Sequence, residues 1–215
     1  MLLLMINTFS SQQQALKCSR GNTSFSATNK MIKLIYSYLR RIQIEIDSAL
    51  DYMYRKFTGI PIIRYSKITP DLFLGGQYGM KAAHVFEVNG ITAIVNMRLH
   101  TIHTGTNVFP HVKVCNIPTV DWTPPLMEDL KKGVAFIAEE IKNGGKVYIH
   151  CKYGKGRGPS MIIAYLISTG MVFKDALDLV QKVRPFAQPN KVQVDRLLEY
   201  EKVFEKEKEL RTVNT

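Results

Sequence analysis

Hydrophobic residues recur every three or four positions between residues 30 and 57, and this spacing predicts one amphipathic helix. Two arrangements fit such a helix. Its apolar stripe could pack on the domain that follows, or it could lie on an anionic lipid surface. Acidic residues in the second half favour packing for that half. The apolar stripe comprises Met31, Leu34, Ile35, Tyr38, Leu39, Ile42, Ile46, Leu50, Met53 and Phe57.

From residue 72 onward, short apolar runs alternate with longer amphipathic segments. This alternation predicts an α/β fold with a central, mostly parallel sheet flanked by helices, preceded by the amphipathic helix. The predicted strands are residues 72–74, 91–97, 112–117 and 146–150, and the predicted helices are 80–88, 126–142, 159–169, 173–183 and 190–208.

The polar N-terminus divides the chain into four predicted parts. Residues 1–29 are rich in Ser, Gln, Asn and Thr without periodicity, which predicts a disordered or targeting segment. The amphipathic helix over 30–58, one domain over 59–208 and a tail over 209–215 follow it.

Charge and cysteine content narrow the class of protein. Net charge is +11, and residues 1–44 hold six basic residues and no acidic one, which suggests an anionic partner or simply aids solubility. Cys18, Cys115 and Cys151 show no paired spacing, so we expect an intracellular, reducing compartment. No Cys/His cluster has metal-ligand spacing, so no zinc site is expected.

The segment from His150 to Ser160 carries the candidate chemistry. A predicted strand ends at His150, and the following glycines allow consecutive backbone N–H groups to surround an anion. The positive end of the next helix points at the same place. A thiolate at Cys151 is stabilised by the same field and supplies a nucleophile. The planar guanidinium of Arg157 can bind two phosphoryl oxygens.

Asp121 is the candidate general acid for the leaving group. It follows the third predicted strand, and parallel strands end on the same edge of a sheet, so its loop can reach the Cys151 loop. The alternative role is that of a turn or helix-capping aspartate. The neighbouring cysteine–arginine loop favours the acid.

The order His150-Cys151-x-x-Gly154-x-x-Arg157 resembles the signature of the protein-tyrosine-phosphatase superfamily, and residues 68–75 look like the first strand of its dual-specificity branch. The segment from residue 117 through the loop most resembles the mitochondrial phosphatidylglycerophosphatase type and its plant relatives. The resemblance covers about residues 65–205. It implies a phosphocysteine intermediate and neither metal nor cofactor.

Lys152 and Lys155 make the loop similar to that of phosphoinositide phosphatases of the tensin-homologue type, whose loop lysines contact further phosphates. Two extra cations favour a polyanionic substrate, unless both side chains face solvent. Tyr153 replaces a small residue and is expected to form a pocket wall. The residues expected to bind phosphate are Lys152, Tyr153, Gly154, Lys155, Gly156, Arg157 and Gly158, with His150 and Ser160 in support.

The sequence departs from the family pattern at two places. Gly158 stands where the family has Ser or Thr, whose hydroxyl supports the thiolate and the breakdown of the phosphoenzyme. Slow turnover is expected unless Ser160 or a water replaces it. Residues 96–100 stand where phosphatidylglycerophosphatases carry an acidic stretch.

Three functions follow from these observations. The first is hydrolysis of phosphoinositide or other anionic phospholipid phosphates, the second dephosphorylation of phosphotyrosine and phosphothreonine in proteins, and the third phosphate binding without catalysis. A peripheral membrane location fits the basic helix, and a mitochondrial one fits the scarcity of acids before residue 45. The strands lack the pattern of aromatic and basic residues that binds RNA, so no nucleic-acid partner is expected.

Overall fold

The computed structural model describes residues 25–99 and 111–213 of the chain. Within these ranges, α-helices and β-strands alternate after a long first helix. They are α1 (Phe25–Thr58), β1 (Leu72–Gly75), α2 (Ala82–Asn89), β2 (Ala93–Asn96), β3 (Lys113–Asn116), α3 (Met127–Lys142), β4 (Val147–His150), α4 (Arg157–Ser168), α5 (Phe173–Val183) and α6 (Lys191–Val213). A short 3-10 helix, Ile63–Tyr65, lies between α1 and β1.

The strands form one parallel sheet in the order β1-β4-β2-β3. The last residues of the four strands, Gly75, His150, Asn96 and Asn116, lie in register with one another. Because the carboxyl ends share one edge, the segments that follow β3 and β4 both leave the sheet there. The predicted α/β fold is confirmed, and it brings the two candidate catalytic loops to one edge.

Strand side chains alternate between two hydrophobic cores. Phe73, Ile94 and Tyr148 face one side of the sheet and pack with Phe86 of α2. Their neighbours along the strands face the larger core, where α4 contacts α3, α5 and α6 as well as β1 and β4. The helix that follows the Cys151 loop is therefore the central helix of the domain.

Some boundaries differ from the predictions for local reasons. Ile91 was predicted to open a strand, but its N–H donates to the carbonyl of Phe86 and closes the end of α2. Helix α4 starts at Arg157, so Pro159 lies in its first turn, where the missing N–H costs nothing. Helix α6 continues to Val213 through the predicted tail.

Helix α1 extends further toward the N-terminus than predicted. It begins at Phe25, inside the predicted disordered or targeting segment, whose first 24 residues lie outside the described ranges. The chain divides into two compact units, residues 1–43 and 44–215, so the second half of α1 belongs to the unit with the sheet. Among the residues that the structure describes, none of the helices contains an apolar stretch that could span a lipid bilayer.

The second half of α1 contacts its unit through polar side chains. Ser48, Asp51 and Arg55, which recur at three- and four-residue steps, are buried. The stripe residues of this half, on the opposite side of the helix, are exposed: Ile46, Leu50, Met53 and Phe57. Packing of the apolar stripe on the domain, one of the two arrangements considered, is therefore not found in this half. In the first half the stripe residues from Met31 to Ile42 are exposed as well.

Candidate active site

The phosphate loop, defined as residues Cys151–Arg157, connects the end of β4 to the start of α4. Cys151 is 3% exposed, and the backbone N–H of Gly154 donates to its Sγ atom over 3.2 Å. Gly154 has a φ of +68°, and an added Cβ would lie 2.6 Å from the carbonyl oxygen of Gly75. Glycine is therefore needed for the turn that directs this backbone donor at the thiol.

Arg157 turns back from the first residue of α4 toward the loop. Its buried guanidinium donates from Nη1 to the carbonyl of Thr119 over 2.8 Å, and its Nη2 pairs with Oδ1 of Asp121 at 2.9 Å. The Nε atom is buried without a hydrogen-bond partner among the described residues. An anion in the loop would supply the missing acceptor. The Nη atoms therefore fix the orientation of the guanidinium, and Nε is available to bind the anion.

Asp121 lies in the acid loop, defined as residues 118–125 between β3 and α3. Its side chain is 47% exposed, in contrast to that of its partner Arg157. The next residue, Trp122, has a φ of +66°, which is strained for a residue with a side chain. Its carbonyl accepts a hydrogen bond from Nδ2 of Asn190 over 2.7 Å, at the start of α6. The acid loop is thus held by backbone contacts while its carboxylate remains accessible.

His150 lies behind the loop as a neutral ring. It is buried beside the ring of Tyr78, with the centroids 4.9 Å apart. Burial, with a smaller contribution from Arg98, lowers the pKa of His150 to about 3. At neutral pH the imidazole therefore carries no charge. Its Nδ1 lies 3.4 Å from the carbonyl oxygen of Cys151, which fits the predicted role in supporting the loop.

The hydroxyl of Ser160 donates to the carbonyl of Gly156 over 3.0 Å, within the first turn of α4. It therefore makes a local helical contact in place of the one predicted with the nucleophile. At Gly158 an added Cβ would lie 3.6 Å from the backbone nitrogen of Cys151 and 3.1 Å from the Cδ1 atom of Leu74. The position adjoins the nucleophile, as the family pattern implies.

The loop lysines occupy different environments. Lys152 is exposed and its Nζ lies 5.1 Å from the centroid of the Tyr153 ring, whereas Lys155 is half-buried. Beside the loop lies an open groove of about 340 Å³ that Lys152 and Tyr153 line together with Tyr52 and Lys56 of α1. Tyr153 does form a wall, although of this groove, and its ring contacts that of Tyr52.

The family model of the dual specificity phosphatase catalytic domain matches residues 72–203, which is more than half of the chain. The chain belongs to this family. The predicted membership of the dual-specificity branch of the protein-tyrosine-phosphatase superfamily is thereby confirmed. The matched range contains the phosphate loop and the acid loop but not α1.

Two relatives differ in how much of their own length this chain matches. MAP kinase phosphatase with leucine-rich repeats protein 3 of Dictyostelium discoideum is 36% identical over 148 residues, which are 67% of this chain and 16% of that protein. Dual specificity protein phosphatase 1 of Arabidopsis thaliana is 28% identical over 191 residues, which are 85% of this chain and 92% of that protein. The chain thus spans a small part of the first relative and most of the second.

Solved structures share the fold of the domain. The crystal structure of PTPMT1 has a TM-score of 0.62 at 22% identity and covers 70% of this chain and 99% of its own. The crystal structure of PTPMT1 in complex with PI(5)P has a TM-score of 0.61 at 23% identity, with coverages of 65% and 96%. At this identity the likeness shows the dual-specificity phosphatase fold alone.

Two residues of the site were not singled out as site residues from the sequence. Arg98 follows β2, and its pKa is lowered chiefly by burial and also by Arg157, while Cys151 raises it. A further cation therefore lies close to the nucleophile. Gln193 of α6 donates from Nε2 to the carbonyl of Thr123 in the acid loop. One signal for Arg98 was present in the sequence. It directly follows a predicted strand, and the carboxyl ends of the parallel strands were expected to carry the site.

Proposed function

We propose that the protein hydrolyses phosphomonoesters through a phosphocysteine intermediate. The thiolate of Cys151 attacks phosphorus, the bond to the leaving oxygen breaks, and a protonated Asp121 gives its proton to that oxygen. The guanidinium of Arg157 and the loop N–H groups stabilise the phosphoryl oxygens. Water then attacks the phosphocysteine, with the Asp121 carboxylate as base, and releases phosphate.

The observation that carries this proposal is the convergence of three groups from two loops. The Sγ atom of Cys151 accepts the Gly154 N–H at 3.2 Å, and Arg157, from the same loop, pairs with Asp121 at 2.9 Å. A phosphate in the loop would replace the carboxylate as the partner of Arg157. The carboxyl group, which is half exposed, would then be released next to the leaving oxygen.

A polyanionic substrate, such as a phosphoinositide or another anionic phospholipid phosphate, is the substrate class we favour. Lys152 and Lys56 line the groove beside the phosphate loop, and Arg98 adds positive charge near Cys151. A phosphotyrosine side chain has a single phosphate and leaves these cations without partners. A second phosphate group on the substrate would offer these cations an anionic partner.

Docking on an anionic membrane surface is the location we favour for this activity. The apolar stripe of α1 is exposed from Met31 to Phe57, and the helix carries Lys30, Lys33 and Arg40 among its polar positions. An exposed apolar stripe with basic polar residues is the pattern of an interfacial helix. The proposed location is an intracellular, reducing compartment, and the mitochondrion is the organelle proposed for it.

Dephosphorylation of proteins is a second candidate. Relatives that match the chain include a MAP kinase phosphatase at 36% identity, whose name places it on protein substrates. A protein phosphatase needs the same loop, arginine and acid, and a peptide with a single phosphate offers no second phosphate to the cations in the groove.

A substrate panel separates the candidates. Wild type and Cys151→Ser are assayed for phosphate release from a small aryl phosphate, phosphotyrosine and phosphothreonine peptides, phosphoinositides and phosphatidylglycerophosphate. We expect release by wild type alone, with the highest kcat/KM for a lipid. Preference for peptides would favour the protein phosphatase. If the folded protein binds phosphate but releases none from any substrate, the proposed phosphatase activity is contradicted and the protein is a phosphate-binding module.

The groove and the stripe are tested by matched variants. Lys56→Gln should lower the ratio of phosphoinositide to aryl phosphate kcat/KM, whereas Lys174→Gln, an exposed lysine of α5, should not. Leu39→Glu should reduce sedimentation with phosphatidylglycerol and phosphatidylcholine vesicles, whereas Ser37→Glu, away from the stripe, should reduce it much less. Equal effects within either pair would contradict the corresponding proposal.

A further inference from the structure

Arg184 is a fully buried cation directly after α5. Burial of a charge is costly unless it is paired and hydrogen-bonded, and Arg184 has acceptors on several sides. Its guanidinium lies 4.3 Å from the ring centroid of Phe186, and it donates to the carbonyl of Tyr65 over 3.1 Å. Its remaining contacts are with the phosphate loop and with α1.

Two of these contacts fix the orientation of the phosphate loop. Nε donates to the carbonyl of Gly154 over 2.8 Å, and Nη2 donates to the carbonyl of Tyr153 over 2.9 Å. A trans peptide is planar, and its C=O and N–H groups point in opposite directions. Holding the Tyr153 carbonyl toward Arg184 therefore turns the N–H of Gly154 the other way, to the Sγ atom of Cys151.

The next peptide follows the same rule. With the carbonyl of Gly154 held by Arg184, the N–H of Lys155 also faces away from the arginine. Two successive backbone donors are thereby turned toward the place where a phosphate would lie. The guanidinium acts on the outer side of the loop, and its effect reaches the anion through the peptide planes.

Asp51 of α1 completes this arrangement. Its carboxylate is 1% exposed, and Oδ2 accepts hydrogen bonds from Nη2 of Arg184 over 2.9 Å and from Nε of Arg55 over 3.0 Å. One negative charge thus faces two buried guanidinium groups. The carboxylate both neutralises Arg184 and fixes the plane of its fork.

We propose that Arg184 and Asp51 are positioning residues that set the anion-binding conformation of the phosphate loop. Through Asp51, the second half of α1 becomes part of the catalytic apparatus although it lies outside the matched range of residues 72–203. The inference rests on the proposed function in taking the loop as the phosphate site. A purely structural ion pair would stabilise the fold without changing phosphate affinity in the folded protein.

The test compares Arg184→Lys, Arg184→Met and Asp51→Asn with wild type in the full chain. Binding of inorganic phosphate is measured by calorimetry, kcat and KM are measured with a small aryl phosphate, and folding is checked by circular dichroism. Arg184→Lys should lower kcat/KM on the order of 100-fold, because a misplaced loop loses transition-state contacts. Asp51→Asn should weaken phosphate binding about tenfold, the value of one charged hydrogen bond.

Glu140→Gln is the matched control. Glu140 is a buried carboxylate that pairs with Lys113, the first residue of β3, at the end of the strand opposite the phosphate loop, so its loss should lower stability and leave phosphate affinity unchanged. Arg184→Met should bind phosphate more weakly than Arg184→Lys, which keeps a donor. If Arg184→Met does not fold, the two milder variants decide.

Phosphate affinity equal to that of wild type in folded Arg184→Lys and Asp51→Asn would overturn the inference. This outcome is distinct from failure of the proposed function, in which wild type itself releases no phosphate. The binding comparison can be made in either case, because it does not require turnover.

Discussion

The phosphate loop and the acid loop leave the same sheet edge but are held in different ways. The two reactive side chains of the phosphate loop, Cys151 and Arg157, are buried, and Arg184 donates hydrogen bonds to two of the loop carbonyls. The acid loop presents Asp121 half exposed, next to a strained Trp122. A site that binds a dianion needs donors fixed beforehand, whereas an acid that must first leave Arg157 and then protonate a leaving group needs room to move. The contrast suggests that the two loops respond differently to mutation.

The largest effect is expected from Gly154→Ala, in the rigid loop. The new Cβ would lie 2.6 Å from the carbonyl oxygen of Gly75 and 2.8 Å from Nη2 of Arg184, at a φ of +68°. Either the loop or the arginine must move, so we expect loss of aryl phosphate hydrolysis by more than about 100-fold. Steady-state kinetics and thermal unfolding provide the measurement.

Gly144→Ala is the control that separates the strain of a positive φ from the steric contacts of an added Cβ. Gly144 has a φ of +78° and nothing within 4 Å of an added Cβ. Its substitution should cost about 1 kcal/mol of unfolding free energy for the left-handed backbone alone and leave activity unchanged. Equal losses of activity in both variants would mean that general destabilisation, not the loop geometry, is responsible.

Asp121→Asn tests the exposed loop and should have the next largest effect. The amide cannot protonate a leaving group, so kcat should fall on the order of 100-fold for an alkyl phosphate and much less for an activated aryl phosphate. The same change frees Arg157 from its ion pair at 2.9 Å. Affinity for inorganic phosphate should therefore rise, by about threefold for a half-exposed pair. The opposite directions of kcat and affinity are specific to this loop.

Glu128→Gln, an exposed acid in the first turn of α3, controls for loss of one surface charge and should change neither quantity. A fall of equal size for alkyl and aryl phosphates in Asp121→Asn would contradict the general-acid role and leave the residue as a structural partner of Arg157.

The phosphate loop could be predicted from sequence because its residues are local, and Asp121 because its loop leaves the same edge of the sheet. Cys151, Gly154 and Arg157 lie within seven residues, and their spacing with the preceding strand predicts the anion site. The pair of Arg184 and Asp51 spans 133 positions, and no local pattern connects them. Only the folded chain brings these residues together.

Helix α1 shows the same limit for the fold. Its periodicity predicts an amphipathic helix correctly, but periodicity alone does not say which face is buried. The polar face is buried in the second half, because Asp51 has Arg55 and Arg184 as partners. A buried carboxylate with two guanidinium partners is a tertiary feature, and the apolar stripe gave no sign of it.

A smaller effect is expected from His150, which lies behind the phosphate loop: its buried ring makes the stability of the protein depend on pH. Because burial lowers its pKa from 6.5 in the unfolded chain to about 3, its contribution to stability is complete above about pH 6.5 and is lost as the pH falls toward 3. Between pH 7 and 5 this amounts to a loss of about 2 kcal/mol of unfolding free energy. Urea unfolding of wild type and His150→Gln at several pH values measures it.

The exposed His84 of α2 provides the control. His84→Gln should keep the wild-type pH dependence, whereas His150→Gln should flatten it whatever its absolute stability. Equal slopes for wild type and His150→Gln would mean that His150 binds a proton as readily in the folded as in the unfolded protein, and would contradict a neutral, buried imidazole behind the phosphate loop.

Gly158→Ser should have the smallest effect. It tests whether the phosphate loop lacks a hydroxyl that would speed breakdown of the phosphoenzyme. The Cβ would lie 3.1 Å from the Cδ1 atom of Leu74, the end of a flexible side chain, and 3.6 Å from the backbone nitrogen of Cys151. A small shift of Leu74 accommodates it and places a hydroxyl near the nucleophile, as the family pattern has it. We expect breakdown of the phosphoenzyme to accelerate by about tenfold, one hydrogen bond to a charged group.

Rapid-quench measurement of the phosphoenzyme tests this directly, with Gly158→Ala as the variant that adds the same Cβ without the hydroxyl. Faster breakdown in the serine variant alone would show that the hydroxyl is missing from an otherwise complete loop. Identical breakdown in both variants would mean that another donor already serves the intermediate. Because Ser160 donates to Gly156, that donor would then be sought among the backbone N–H groups that Arg184 orients.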